Sequence, residues 1–153
     1  TSRSPAAAAS VWQERIRAVS EHGMEAMVEP TLQRWFTPAF RMGRADVMDR
    51  VAGMIRATPV AGYMGCCHAL SRFDVADRLA AVTLPALILV GDQDSGAPPD
   101  TARQIQAALP GAQLVILESA SHLSNMEQPA EFNRVLLKFL NTTTGRGGTH
   151  ALA

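Results

Sequence analysis

The chain has 153 residues, 47% of them hydrophobic, which is enough to bury a core, since domains commonly run about 100–150 residues. Fourteen basic and fourteen acidic side chains cancel and neither sign forms a block, so the footprint of a nucleic-acid or anionic-membrane binder is missing and neither partner is expected. Cys66 and Cys67 are adjacent, which suits neither a disulfide framework nor a CxxC metal site and fits a reducing cytoplasm, and there is no apolar run of the roughly 18–20 residues of a membrane span and no apolar stretch of a signal peptide in Thr1 to Ser10.

Residues 1–10 read as a lead-in, after which the chain carries only helix signals for some seventy residues. Val11, Ile16 and Val19 recur near helical spacing, with Ser10 as N-cap and Gly23 as the stop. From Met24 to Phe36 the pattern stays helical, but Pro30 lacks an amide donor and is expected to break the segment into two short pieces. Trp35-Phe36-Thr37-Pro38 then leaves the helix. Val47, Val51, Met54 and Ile55 mark the apolar face of another helix that Thr58-Pro59 ends, and a last one runs from about Val60 to Ser71.

At Leu84 the character changes. The aliphatic run LPALILVGDQD opens after a proline position and closes on Gly-Asp, and its core from Ala86 to Val90 reads as a strand buried on both faces of a parallel sheet. Pro98-Pro99 opens an amphipathic helix through Ala102, Ile105, Ala108 and Leu109, stopped by Pro110-Gly111. Gln113 to Leu117 is a second strand, and the loop ESASHLSNMEQ leads to a final helix, Pro129 to Leu140, with Phe132, Val135, Leu136 and Phe139 facing inward. Strand, helix, strand, helix is the α/β signature over residues 84–140. Residues 141–153, rich in Thr and Gly, read as a flexible tail. Two strands are too few for a stable parallel sheet covered by helices, so further strands are expected from elsewhere.

In open α/β sheets, ligands meet the loops at the carboxyl ends of the strands. Asp94 follows the first strand and His122 the second, so neighbouring parallel strands would bring an acid and a base side by side. Such an Asp–His pair holds one imidazole tautomer while histidine takes a proton from a serine, and the order acid then histidine suits a triad that runs Ser, Asp, His. Asp92 reads as a turn former; Ser95, Ser119, Ser121 and Ser124 read as loop caps. Cys66, Cys67 and His68 are not read as a cysteine nucleophile, because adjacent helical side chains point about 100° apart.

The stretch PALILVGDQDSGAPPDTARQIQAALPGAQLVILESASHLSNMEQPAEFNRVLLKFL resembles the last third of an α/β-hydrolase, in which G-x-x-D supplies the acid and a small-residue loop ending in His supplies the base. Upstream, WQERIRAVSEHGMEAMVEPTLQRWFTPAF and ATPVAGYMGCCHALSRFDVADRL resemble the helical lid of bacterial 3-oxoadipate enol-lactonases. The resemblance implies an α/β fold of the α/β-hydrolase type, in part: residues 11–83 as the lid, residues 84–140 as the last two β-α units of the core. It implies Asp94 and His122 as catalytic residues, Trp35 as a lining of the lactone pocket or else lid core, and Arg34, Arg41 or Arg44 as partners of a substrate carboxylate or else solvated lid arginines. It implies hydrolysis of 3-oxoadipate enol-lactone or a related small lactone or ester, without metal or organic cofactor. No G-x-S-x-G elbow occurs in these residues, so the serine and oxyanion hole are expected from an N-terminal half, or the exposed strand from pairing with a second copy. A different lid-bearing esterase, a cofactor-free haloperoxidase-like enzyme, and a non-catalytic binding or dimerisation module are the alternatives.

Overall fold

A computed structural model describes residues 1–4 and 9–144, which fall into two compact units, Thr1–Leu79 and the residues from Ala80 onward. Helix α1, Ala9–His22, begins ahead of Ser10, so Ser10 lies inside the helix rather than capping it. It stops as expected at Gly23, whose φ of 68° lies in the half of backbone space that a Cβ penalises. The break expected at Pro30 falls earlier. A 3-10 turn, Met24–Met27, precedes helix α2, Val28–Trp35, and Pro30 sits in the first turn of α2, where an amide has no intrahelical acceptor to lose.

Phe36 leaves α2 with extended backbone. A short helix α3, Pro38–Gly43, follows; the Thr37 hydroxyl accepts from the Phe40 amide at 3.3 Å and proline opens the first turn. Periodicity misses this helix because its six residues bury no side chain. Helix α4, Ala45–Arg56, buries Val47, Val51, Ala52 and Ile55, but Met54 is 67% exposed, contrary to expectation. Ala52 and Ile55 draw the buried face to one side and leave Met54 on its far edge.

Helix α5, Val60–Ser71, packs on α1, and α4 packs on α2. Val19, Met24, Met27, Val28, Leu32, Phe36 and Cys67 complete this core. The lead-in is tied down: Ser4 donates to the Phe73 carbonyl, Val75 to the Ser2 carbonyl, and Arg3 pairs with Asp74 at 2.7 Å.

In the second unit, β1 (Leu87–Gly91) and β2 (Gln113–Leu117) pair in parallel, Leu87 opposite Gln113 and Gly91 opposite Leu117. The strand starts one residue later than expected. Helices α6 (Pro99–Ala108) and α8 (Pro129–Thr144) both pack on this sheet, and a single turn, α7 (Ser124–Glu127), precedes α8. Burial of β1 on both faces does not hold within this chain, where Leu87, Ile88 and Leu89 are only half-buried. Among the described residues the sheet has these two strands alone, each paired along one edge. Of the expected inward residues of α8, Val135 is buried and Phe132, Leu136 and Phe139 are half-buried. The helix runs beyond Leu140, the Thr142 and Thr143 hydroxyls donating to the Phe139 carbonyl at 2.8 and 2.9 Å; the rest of the expected tail, 145–153, lies outside the described residues.

Phe36 is 1% exposed and stacks on Phe40 with ring centroids 5.4 Å apart. Phe36→Ala should therefore cost about 3–5 kcal/mol in denaturant unfolding, whereas Leu137→Ala, at a residue 57% exposed, should stay within about 0.5 kcal/mol. Equal effects would contradict this core.

Candidate active site

Because β1 and β2 run in parallel, their carboxyl ends lie at one edge of the sheet, and the loops that follow meet there. Asp94, in the first loop, is 5% exposed. Its Oδ1 accepts from the amides of Gly96 at 2.8 Å and Ala97 at 2.9 Å, an aspartate-anchored turn that fixes the carboxylate plane. Its Oδ2 lies 2.8 Å from Nδ1 of His122, in the second loop. Burial pushes the Asp94 carboxyl up, but the bonds from His122, Ala97 and Gly96 outweigh it and hold the group below its ordinary range. An ionised carboxylate can only accept, so Nδ1 of His122 is the donor in this contact. The imidazole side chain is 40% exposed. It is held at Nδ1 by a buried anion, which orients the ring.

The two loops approach so closely that only glycine fits between them. A Cβ on Gly91 would lie 2.2 Å from the Ala120 carbonyl oxygen and 2.4 Å from that of Ser121. Backbone bonds stitch the contact: the Asp92 amide donates to the Leu117 carbonyl and the Gln93 amide to the Ala120 carbonyl, both at 2.9 Å. Asp92, read from sequence as a turn former, accepts from the Ala120 amide across the gap at 3.2 Å. The Ser121 hydroxyl donates to the Gln93 carbonyl at 3.3 Å, and Ser119 supplies the turn with a φ of 55°.

Sequence reasoning missed Glu127, buried at 9% exposure, whose carboxylate accepts from the Ser121 amide. Its position in HLSNMEQP, five residues after His122, offered only a weak signal. The cluster is built wholly from residues of the second unit. Trp35, in the first unit, is half-buried at the end of α2. Both nitrogens of the Arg44 fork face Asp46, at 3.0 Å each, and Arg41 lies 3.7 Å from Glu29. Cys67 is buried, which pushes its thiol up and away from the reactive thiolate. Among the described residues no cluster of three or more His, Cys, Asp or Glu is arranged to hold a metal ion, and no helix is long and apolar enough to cross a membrane.

Two outcomes follow from this geometry. Gly91→Ala must move backbone rather than a side-chain end, so it should cost about 1–3 kcal/mol or more in unfolding free energy; an unchanged denaturant midpoint would contradict the close approach. Asp94 has a folded-state pKa below its unfolded value, so the stability it adds is present above about pH 3.9 and lost as pH falls through the folded value. An NMR titration of the Asp94 carboxyl should give a midpoint below about 3.9, and a midpoint at or above that would contradict the assigned bonds.

A sequence profile of the alpha/beta hydrolase family matches residues 3–135. The chain is 31% identical over 128 residues to 3-oxoadipate enol-lactonase 2 of Acinetobacter baylyi, a match covering 84% of this chain and 48% of that protein. It superposes with a TM-score of 0.83 on the crystal structure of the enol-lactonase from Burkholderia xenovorans LB400, at 30% identity, covering 86% of this chain and 50% of the other. A hydrolase from Pseudomonas aeruginosa PA01 gives a TM-score of 0.84 at 33% identity, with 92% and 52% covered. The chain thus spans about half the length of the relatives it matches. With this profile over most of its length and the two-loop edge of a parallel sheet, the chain belongs to the alpha/beta hydrolase family.

Proposed function

We propose that Asp94 and His122 are the acid and base of a serine-type hydrolase of lactones or esters, in which the serine and the oxyanion hole come from a core half not among these residues. The observation that carries this reading is the 2.8 Å contact between the buried, doubly amide-bound Asp94 and Nδ1 of His122. In the proposed reaction Nε2 of His122 takes the serine proton as Oγ bonds to the substrate carbonyl carbon. The ring C–O bond then breaks and the imidazolium returns the proton to the leaving oxygen. Water, deprotonated by His122 in turn, attacks the acyl carbon; the bond from that carbon to serine Oγ breaks, the imidazolium returns the proton to Oγ, and the acid product leaves. Asp94 orients the ring and stabilises its charged form throughout, and no cofactor enters any step.

The substrate proposed is 3-oxoadipate enol-lactone, on the likeness to an enol-lactonase at 31% identity. Residues 11–83 would then form the lid, with Trp35 lining the pocket. Arg34 and Arg41 remain candidates to meet the substrate carboxylate, while the Arg44 fork is taken up by Asp46. The half-buried aliphatic residues Leu87, Ile88 and Leu89 support a partner that adds strands to this sheet. The occupant we favour is the serine-bearing half, because the chain spans about half of its relatives.

The purified 153-residue chain should show no lactonase turnover, and turnover should appear when it is combined with the serine-bearing half. In that combination His122→Ala should lower kcat by roughly 10⁴–10⁶-fold. Turnover by the isolated chain, or a His122→Ala combination close to wild type, would overturn the reading.

A further inference from the structure

Glu127 is a buried acid that the proposed chemistry does not use. It lies in α7, a turn that starts two residues after His122, and the Leu123 carbonyl accepts from the amides of Met126 and Glu127 at 2.8 and 3.2 Å. That single turn folds residue 127 back beneath residue 121. Its Oε2 accepts from the Ser121 amide, in the Ala120–Ser121 peptide one residue before His122. The next side chain, Gln128, reaches the Ser119 carbonyl at 3.2 Å, and from the opposite loop Asp92 takes the Ala120 amide.

Residues 118–123 form no repeating backbone ladder of their own. Buried amides in such a loop need acceptors, and leaving one unmade costs about 1–3 kcal/mol. The two amides that precede His122 therefore find theirs in two carboxylates, one from each side. We propose that Glu127 is a positioning residue for His122: by accepting the Ser121 amide it fixes the Ala120–Ser121 peptide, the anchor one residue before the imidazole, and so helps set Nδ1 on Asp94. The proposal rests on the reading of His122 as the base only for its catalytic consequence; its structural content is independent of that reading. What it requires of residue 127 is an acceptor at full glutamate reach, not a negative charge.

The test uses the ¹⁵N-labelled 153-residue chain and its Glu127→Gln, Glu127→Asp and Glu127→Ala variants, followed by Ser121 amide exchange and by the His122 Nδ1–H resonance. Glutamine keeps both acceptor and reach, so its variant should match wild type. Aspartate keeps the charge but is one methylene short, so its variant should resemble Glu127→Ala, with Ser121 exchange faster by about tenfold or more and the Nδ1–H resonance broadened. Unchanged Ser121 exchange in Glu127→Ala would overturn the proposal, as would an aspartate variant that behaves as wild type while the glutamine variant does not.

With the chain combined with its serine-bearing half, Glu127→Ala should lose about 10²-fold in kcat, with KM within about threefold and recovery in Glu127→Gln. An active combination indifferent to Glu127→Ala would overturn the proposal. A wild-type combination without turnover, beside the expected exchange pattern, would instead sink the hydrolase reading and leave the positioning of His122 standing.

Discussion

At Gly91 the backbone of one loop passes where a side chain would stand, with the Ala120 carbonyl oxygen 2.2 Å from the place of its missing Cβ. That approach is what allows the loops after two neighbouring strands to bond to each other rather than to water. The amides of Asp92 and Gln93 and the carboxylate of Asp92 can then reach Leu117 and Ala120. Only in that setting does Asp94 meet His122 at 2.8 Å. A flat surface loop would leave the same two side chains free to sample many rotamers, at an entropic cost each time they met.

The balance of forces at Asp94 follows from the same setting. Desolvating a carboxylate is unfavourable, and burial here works against the charge. Three directed donors, the Gly96 and Ala97 amides and the His122 ring, win because they are already oriented and need no reorganisation when the anion forms. A buried anion fixed in this way can hold one imidazole tautomer. That property matters for a proton acceptor more than the anion's modest effect on stability.

Much of this was legible in the chain itself. Aliphatic runs marked both strands within a residue, the first bounded by proline and Gly-Asp, and the meeting of Asp94 with His122 was readable because parallel strands put their carboxyl ends together. Less legible were features that depend on tertiary contact or on very short range. The α3 turn buries nothing and leaves no periodicity; Pro30 is harmless because it falls within the first turn of α2; and Met54 lost its place in the core to Ala52 and Ile55. Half-burial of β1 could not be read from an aliphatic string, which looks the same whether or not its neighbours are on the chain. Glu127 escaped notice because its role lies in the fold of one loop onto one turn.

The proposed division of labour, an acid and base on this chain and a nucleophile on another segment, stands on His122 being held so that Nε2 can accept a proton. ¹⁵N NMR of the imidazole, at a pH where the ring is neutral, reports that directly. Protonation at Nδ1, with Nε2 bare and the Nδ1–H signal lost in Asp94→Asn, is the expected result. A ring protonated at Nε2, or one exchanging freely between the two tautomers, would contradict it.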